Sequence, residues 1–138
     1  RLNDNMGSYV VSEVSKLMTK KHIHIADANV LIMGLTFKEN CTDYRNTRVI
    51  DLVKEFKKFN CNVDIYDPWV NKNEANDEYN IQLIDKPTNG KYDAIVLAVA
   101  HDEFKALSEE QIRAYGKVNH ILYDIKYLLK ANESDGRL

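Results

Sequence analysis

The sequence predicts an α/β domain, a parallel sheet of about five strands between layers of helices, and three observations point to it. Residues 30–33, Val-Leu-Ile-Met, are wholly apolar, too short for a helix and too apolar for a half-exposed strand, so they read as a central parallel strand buried on both faces. Residues 93–99, apolar after Asp93, form the clearest strand of the later chain. Strand-like and helix-like segments alternate between and around the two, which implies right-handed crossovers and the spatial order 3-2-1-4-5.

The elements follow in order. Residues 4–21 set Met6, Tyr9, Val10, Val14, Leu17 and Met18 along one helical face, an N-terminal amphipathic helix. A polar connection over 22–28 leads to the first strand, 29–34, which Gly34 ends. Asn46 or Thr47 can cap a helix over about 47–60 whose apolar face is Val49, Ile50, Val53 and Phe56. It delivers the chain to a second strand at 62–66, closed by Asp67-Pro68, and completes a βαβ unit. Residues 71–79 turn polar and read as a short helix with loops, followed by a brief strand at 81–84 and a turn at 86–90. After the fourth strand, Ser108 opens a helix through about 115, and residues 120–124 form a fifth strand. The polar tail beyond Leu129 is expected to fray.

Length and composition bound the function. At 138 residues the chain is one domain able to bury a core without disulfides or metal. A formal net charge of −2 argues against nucleic acid and membrane surfaces as partners. Two cysteines, Cys41 and Cys61, are too few for a disulfide framework or a zinc site and fit a reduced, cytoplasmic compartment. No apolar stretch approaches the roughly 20 residues a membrane span needs, and the start lacks a signal-peptide pattern. The first residue is Arg1 rather than Met, which suggests a fragment.

Positive charge is concentrated where an open α/β sheet binds ligands. Lys38, Arg45 and Arg48 follow Gly34 at the carboxyl end of the first strand. In the order 3-2-1-4-5 the loops after strands one and four flank the switch point, so Lys38 and His101 should be neighbours. The loop is neither a Walker A sequence nor a G-x-G-x-x-G fingerprint, so a phosphate there would rely on side chains and a helix start.

The run Gly34-Leu35-Thr36-Phe37-Lys38-Glu39-Asn40-Cys41, followed by Asp43, Arg45, Asn46 and Thr47, resembles the UDP-binding domain of the nucleotide-sugar 6-dehydrogenases, the family of UDP-glucose and GDP-mannose dehydrogenases. The likeness continues through Ile65-Tyr66-Asp67-Pro68, through Ala98-Val99-Ala100-His101-Asp102-Glu103-Phe104 and through Asp124-Ile125-Lys126. The Ala-Val-Ala-His and Asp-Ile-Lys spellings look most like the branch that oxidises UDP-N-acetylhexosamines, glucosamine or galactosamine, for surface polysaccharides of the Vi-antigen type.

The resemblance implies a Rossmann-like UDP-binding domain over residues 22–138, preceded at 1–21 by the end of an inter-domain helix, within an NAD-dependent enzyme that makes a uronic acid by two hydride transfers. It implies that Phe37 and Lys38 bind the UDP-sugar, that Lys126 stands where glucose-type relatives carry a substrate-contacting arginine, and that Arg45 reaches NAD held mainly by a separate N-terminal domain. A homo-oligomer is implied for the full-length protein. The connecting helix would here have lost part of its apolar cover, leaving a face open to association. The family's catalytic cysteine belongs to a Gly-rich motif absent from this chain, so no residue here is assigned to catalysis and the fragment alone should be inactive. Thr42 and Tyr44 depart from the proline and smaller residue common in the branch, which should loosen the loop.

Each residue also has a plainer reading. Lys38 and Lys126 can be solvated surface lysines, and Arg45 can be a clamp for Asp43. His101 can cap the next turn or pack on Phe104, and Asp67 can be a turn former beside Tyr66 and Trp69, whose rings cover the sheet edge. Cys41 has no base beside it in a motif and reads as inert. His22, His24, His101 and His120 lack a ligand spacing, so no metal is expected. The alternative function is a stand-alone α/β regulatory or interaction module with the first helix as its partner surface. A flavodoxin-like cofactor binder is disfavoured by the lack of a Ser/Thr-rich phosphate loop.

Overall fold

The strand Asn29–Met33 (β1) is the centre of the sheet because every residue after Asn29 is buried. Its alternate side chains feed two cores. Val30 and Ile32 point to one face and Leu31 and Met33 to the other. The structure, a computed structural model, describes residues 5–138. Residues 1–4, including the expected helix start at Asp4, lie outside the described residues.

Parallel neighbours flank β1 on both sides: Asn62–Tyr66 (β2) in the register Val30 to Val63, and Tyr92–Leu97, later in the chain, in the register Val30 to Ala94. The brief strand Leu83–Ile84 (β3) adds to the far side of β2. With Tyr92–Leu97 as β4, Gly116–Asp124 as β5 and Gly136–Arg137 as β6, the sheet has six strands among the described residues, in the order β3-β2-β1-β4-β5-β6, all parallel. The expected order of the first five holds.

The helices make the outer layers. Met6–Lys20 (α1) and Val49–Lys57 (α2) cover the Val30–Ile32 face, with Lys72–Tyr79 (α3) contributing Ala75 to the same core. On the other face, Phe104 of the single turn Asp102–Lys105 (α4) and Ile112 of Glu109–Arg113 (α5) pack on Leu31, Met33, Ile95, Leu97 and Leu122. Ser108 opens α5 with a capping box, its Oγ accepting from Gln111 N at 3.1 Å while Gln111 Oε1 accepts from Ser108 N at 2.8 Å. The helix expected from residue 47 begins at Val49 instead, because Asn46 sits at φ 57° and Thr47 Oγ1 takes the Val49 N–H at 3.2 Å.

Two expectations are corrected. The apolar face of α1 is not left open, since Val10, Val14 and Met18 are fully buried and Gly7 brings α1 so near α2 that a Cβ on it would lie 3.1 Å from Asp51. Of its long apolar side chains, Tyr9 remains the exposed one, at 52%. Nor does the tail fray. Residues 131–133 form a 3-10 turn, and β6 pairs with β5 through Tyr123 to Gly136 and Asp124 to Arg137. Asp135 and the Glu133 carbonyl tie it to the fold: Arg113 donates to Asp135 at 3.2 Å and to the Glu133 carbonyl at 3.1 Å, and Asp135 also takes the Leu122 N–H at 2.7 Å. The carboxyl end of this sheet is where the loops gather.

Candidate functional site

Gly34 shapes the opening. It adopts φ +108°, and a Cβ there would stand 2.5 Å from the Val99 Cβ. Only glycine lets β1 exit this close to the end of β4. Beyond it the chain turns out over the sheet edge, with Phe37 N donating to Asp43 O at 2.8 Å to close the loop.

The loop walls a cleft of about 470 Å³ between the ends of β1 and β4. Phe37, Lys38 and Glu39 line it from the loop, Asn46 to Val49 from the start of α2, Ala98 and Val99 from the exit of β4, and Lys126 from the turn after β5. Phe37 is 64% exposed on this wall. Among the described residues of the lining, Lys38, Arg48 and Lys126 meet one carboxylate, Glu39, so the lining carries a positive surplus. Arg48 also pairs with Asp51 at 3.6 Å. The lysine at 126 is set by a buried carboxylate: Asp124, 1% exposed, accepts from Leu128 N at 3.1 Å and Leu129 N at 2.9 Å and so fixes the turn.

Phe37 and Lys38 thus meet Lys126, distant in sequence, in one cleft. Arg45 does not join them. It lies in an adjoining hollow of about 580 Å³ with Tyr44, Trp69, Glu74 and Glu78, where its Nε donates to Asp43 Oδ1 at 3.1 Å and its Nη2 to Asp43 Oδ2 at 3.4 Å. The hydrogen bonds from Arg45 hold the Asp43 carboxyl below its ordinary range, and Asp43 raises the guanidinium in turn. The expected clamp therefore exists, with the Arg45 side chain 78% exposed. Tyr44 is held against α3: its ring meets Tyr79 edge-on at 5.8 Å, and Tyr79 Oη donates to the Tyr44 carbonyl at 3.0 Å.

Beneath the loop lies a pair that sequence reasoning undervalued. Asp67 is a turn former, accepting from Trp69 N at 2.8 Å, but its other oxygen takes Leu35 N at 2.7 Å, Thr36 N at 3.1 Å and His101 Nε2 at 2.9 Å. His101 packs edge-on against Phe104 at 5.4 Å, as one plain reading held, yet its side chain does not cap α4. That cap is Asn40, whose Oδ1 accepts from Asp102 N at 3.0 Å. His101 Nδ1 accepts from Asn40 N at 3.0 Å, which assigns the ring proton to Nε2, facing Asp67. The signal available earlier was the strand order, which sets the ends of β2 and β4 on either side of β1.

Other candidates fall away from the cleft. Cys41 Sγ accepts from Asp43 N at 3.4 Å, a loop contact. Cys61 is buried, and desolvation pushes its thiol up to about 11. Among the described residues no group of three or more His, Cys, Asp or Glu side chains could hold a metal ion, and no helix is long and apolar enough to cross a membrane.

Residues 31–131 match the family model described as the UDP-glucose/GDP-mannose dehydrogenase family, UDP binding domain. The whole chain is 55% identical to the UDP-N-acetyl-D-glucosamine 6-dehydrogenase of Pseudomonas aeruginosa and 53% identical to that of Salmonella typhi, covering 33% and 32% of them. It therefore spans about a third of the length of the curated relatives it matches. Among solved structures, an NDP-N-acetyl-D-galactosaminuronic acid dehydrogenase from Methanosarcina mazei Go1 superposes with a TM-score of 0.82 over 95% of this chain and 27% of that one, at 19% identity, a likeness of fold. By matched family and by sequence along its full length, the chain belongs to the UDP-glucose/GDP-mannose dehydrogenase family, as its UDP-binding domain.

Proposed function

We propose that this domain supplies the nucleotide end of the substrate site in an NAD-dependent 6-dehydrogenase that converts a UDP-N-acetylhexosamine to its uronic acid, and that the cleft beside Gly34 takes the UDP-sugar. The observation that carries the reading is the meeting of Phe37, Lys38 and Lys126 in one positively charged cleft at the switch point of the sheet. The ammonium groups of Lys38 and Lys126 meet the diphosphate through charge-assisted contacts, and the exposed Phe37 ring packs beside the ligand. Arg48, just ahead of α2, adds positive charge on the same side.

NAD, when bound, accepts the hydride. Arg45 fits one contact to it, because its exposed guanidinium is held in a fixed orientation by Asp43 and a planar fork suits a pyrophosphate oxygen or a carboxamide. The chain has no dinucleotide fingerprint, so the rest of that site belongs to another domain. Cytoplasmic location, a role in surface polysaccharide synthesis and assembly into a homo-oligomer belong to the same proposal. The rival interaction module loses its partner surface, since α1 buries its apolar face within the domain.

Calorimetric titration with UDP tests the reading. Weak binding that falls with added salt and falls again in Lys38→Ala is the expected outcome, because phosphate contacts dominate and part of the pocket lies elsewhere. Binding unaffected by salt and by Lys38→Ala, or none at low ionic strength, would contradict it.

A further inference from the structure

Lys38 stands on a segment fastened at both ends to one buried pair, and we propose that His101, held by Asp67, is the positioning residue that aims Lys38 at the diphosphate. The inference rests on the UDP reading of the cleft. Asp67 is 4% exposed and His101 fully buried. Ahead of Lys38, the Leu35 and Thr36 N–H groups donate to Asp67 Oδ2 at 2.7 and 3.1 Å. Behind it, Asn40 N–H donates to His101 Nδ1 at 3.0 Å. The two anchors are joined by the His101 Nε2 to Asp67 Oδ2 bond at 2.9 Å.

The link reaches Lys38 itself. Thr36 Oγ1, 3.2 Å from His101 Nε2, donates to the Lys38 carbonyl at 2.8 Å. Asn40 completes the turn at φ 53°, a left-handed conformation that asparagine takes more readily than other non-glycine residues. Here His101 holds its N–H and Asp102 N holds its side chain. The imidazole has little freedom to swing away, stacked on Trp69 at 5.9 Å and edge-on to Phe104 at 5.4 Å. His101 is absent from the cleft lining, so it acts through the loop and not on the ligand. A lysine ammonium ends a long flexible stem, and fixing the stem's base in advance reduces the ordering that binding must otherwise impose.

Two substitutions separate the brace from simple packing. His101→Gln places an amide N–H at the reach of Nε2 and keeps the donor to Asp67, but offers no acceptor to Asn40. His101→Asn places a carbonyl near Nδ1 and restores that acceptor. UDP and uridine affinities are measured by NMR titration, uridine having no phosphate for Lys38 to meet, together with each melting temperature. In His101→Gln, UDP binding should weaken about tenfold while uridine stays within about twofold, and His101→Asn, which restores the acceptor but lacks the bond to Asp67, should recover part of the loss. UDP binding in His101→Gln equal to wild type, or parallel losses for UDP and uridine in both variants, overturns the proposal. Amide exchange in the wild type needs no variant: the Asn40 N–H should be protected, and exchange at the rate of an open loop would equally overturn it. A wild type that binds UDP through Lys38 while His101→Gln matches it sinks this inference alone, whereas a wild type that does not bind UDP removes the reading beneath it as well.

Discussion

Gly34 and Val99 close the floor of the cleft by backbone contact: a Cβ on Gly34 would meet not only the Val99 side chain but also its N at 2.8 Å. That nitrogen cannot retreat without pulling β4 away from β1, because Val99 N and Ala98 N donate to Met33 O at 3.3 and 2.9 Å.

Gly34→Ala therefore combines a clash with a backbone at φ +108°, where an L-residue is strained. The expected cost is about 2–4 kcal/mol of unfolding free energy, measurable by urea denaturation. A loss under about 0.5 kcal/mol would mean that the two strand ends are not locked together.

Acid should release the C-terminal strand before the rest of the fold. Burial raises the Asp135 carboxyl, but the Leu122 N–H, the charge and hydrogen bond of Arg113, and Lys21 outweigh it and hold the group below its ordinary 3.8. A depressed carboxylate contributes stability in full above pH 3.8, and that stability is lost as the pH falls through the lowered value. Protection of the Leu122 and Leu138 amides, relative to their intrinsic exchange rates, should fall below pH 3.8 while β1 stays protected, and Asp135→Asn should show the lowered protection already at neutral pH. Uniform exchange across all strands at low pH would contradict the local anchor.

The fold was more legible in the sequence than the site, and the reasons are physical. β1 and β4 are buried on both faces, so their apolar runs mark them without help from context. β6 has no such mark, because Gly136 and Arg137 pair through their backbone and are held by the Arg113 and Asp135 side chains, a long-range contact that polarity alone conceals. The cations of the cleft could be read from the loop after Gly34, and the strand order brought the β1 and β4 loops together. The roles of Asp67 and His101 could not be read locally, since each side chain satisfies backbone groups of a loop distant in sequence. Asp43 with Arg45 was readable because the two are neighbours.

Arg45 separates a ligand contact from a loop clamp. Arg45→Lys keeps the charge but loses the fork that now engages both Asp43 oxygens. In the full-length enzyme the substitution should weaken NAD more than the UDP-sugar, by about 1–3 kcal/mol, with little change in melting temperature. Equal shifts in both Michaelis constants with a lowered melting temperature would mark a clamp only.

The most direct test of the central claim, that the cleft between β1 and β4 takes the UDP diphosphate, is an NMR titration of UDP into the isotopically labelled chain at low ionic strength. The account expects amide shifts concentrated at residues 36–39, 46–49, 98, 99 and 126, the lining of that cleft. Shifts concentrated instead in the neighbouring hollow, at Thr42, Asn71, Glu74 and Glu78, or no shifts at saturating UDP, would contradict it.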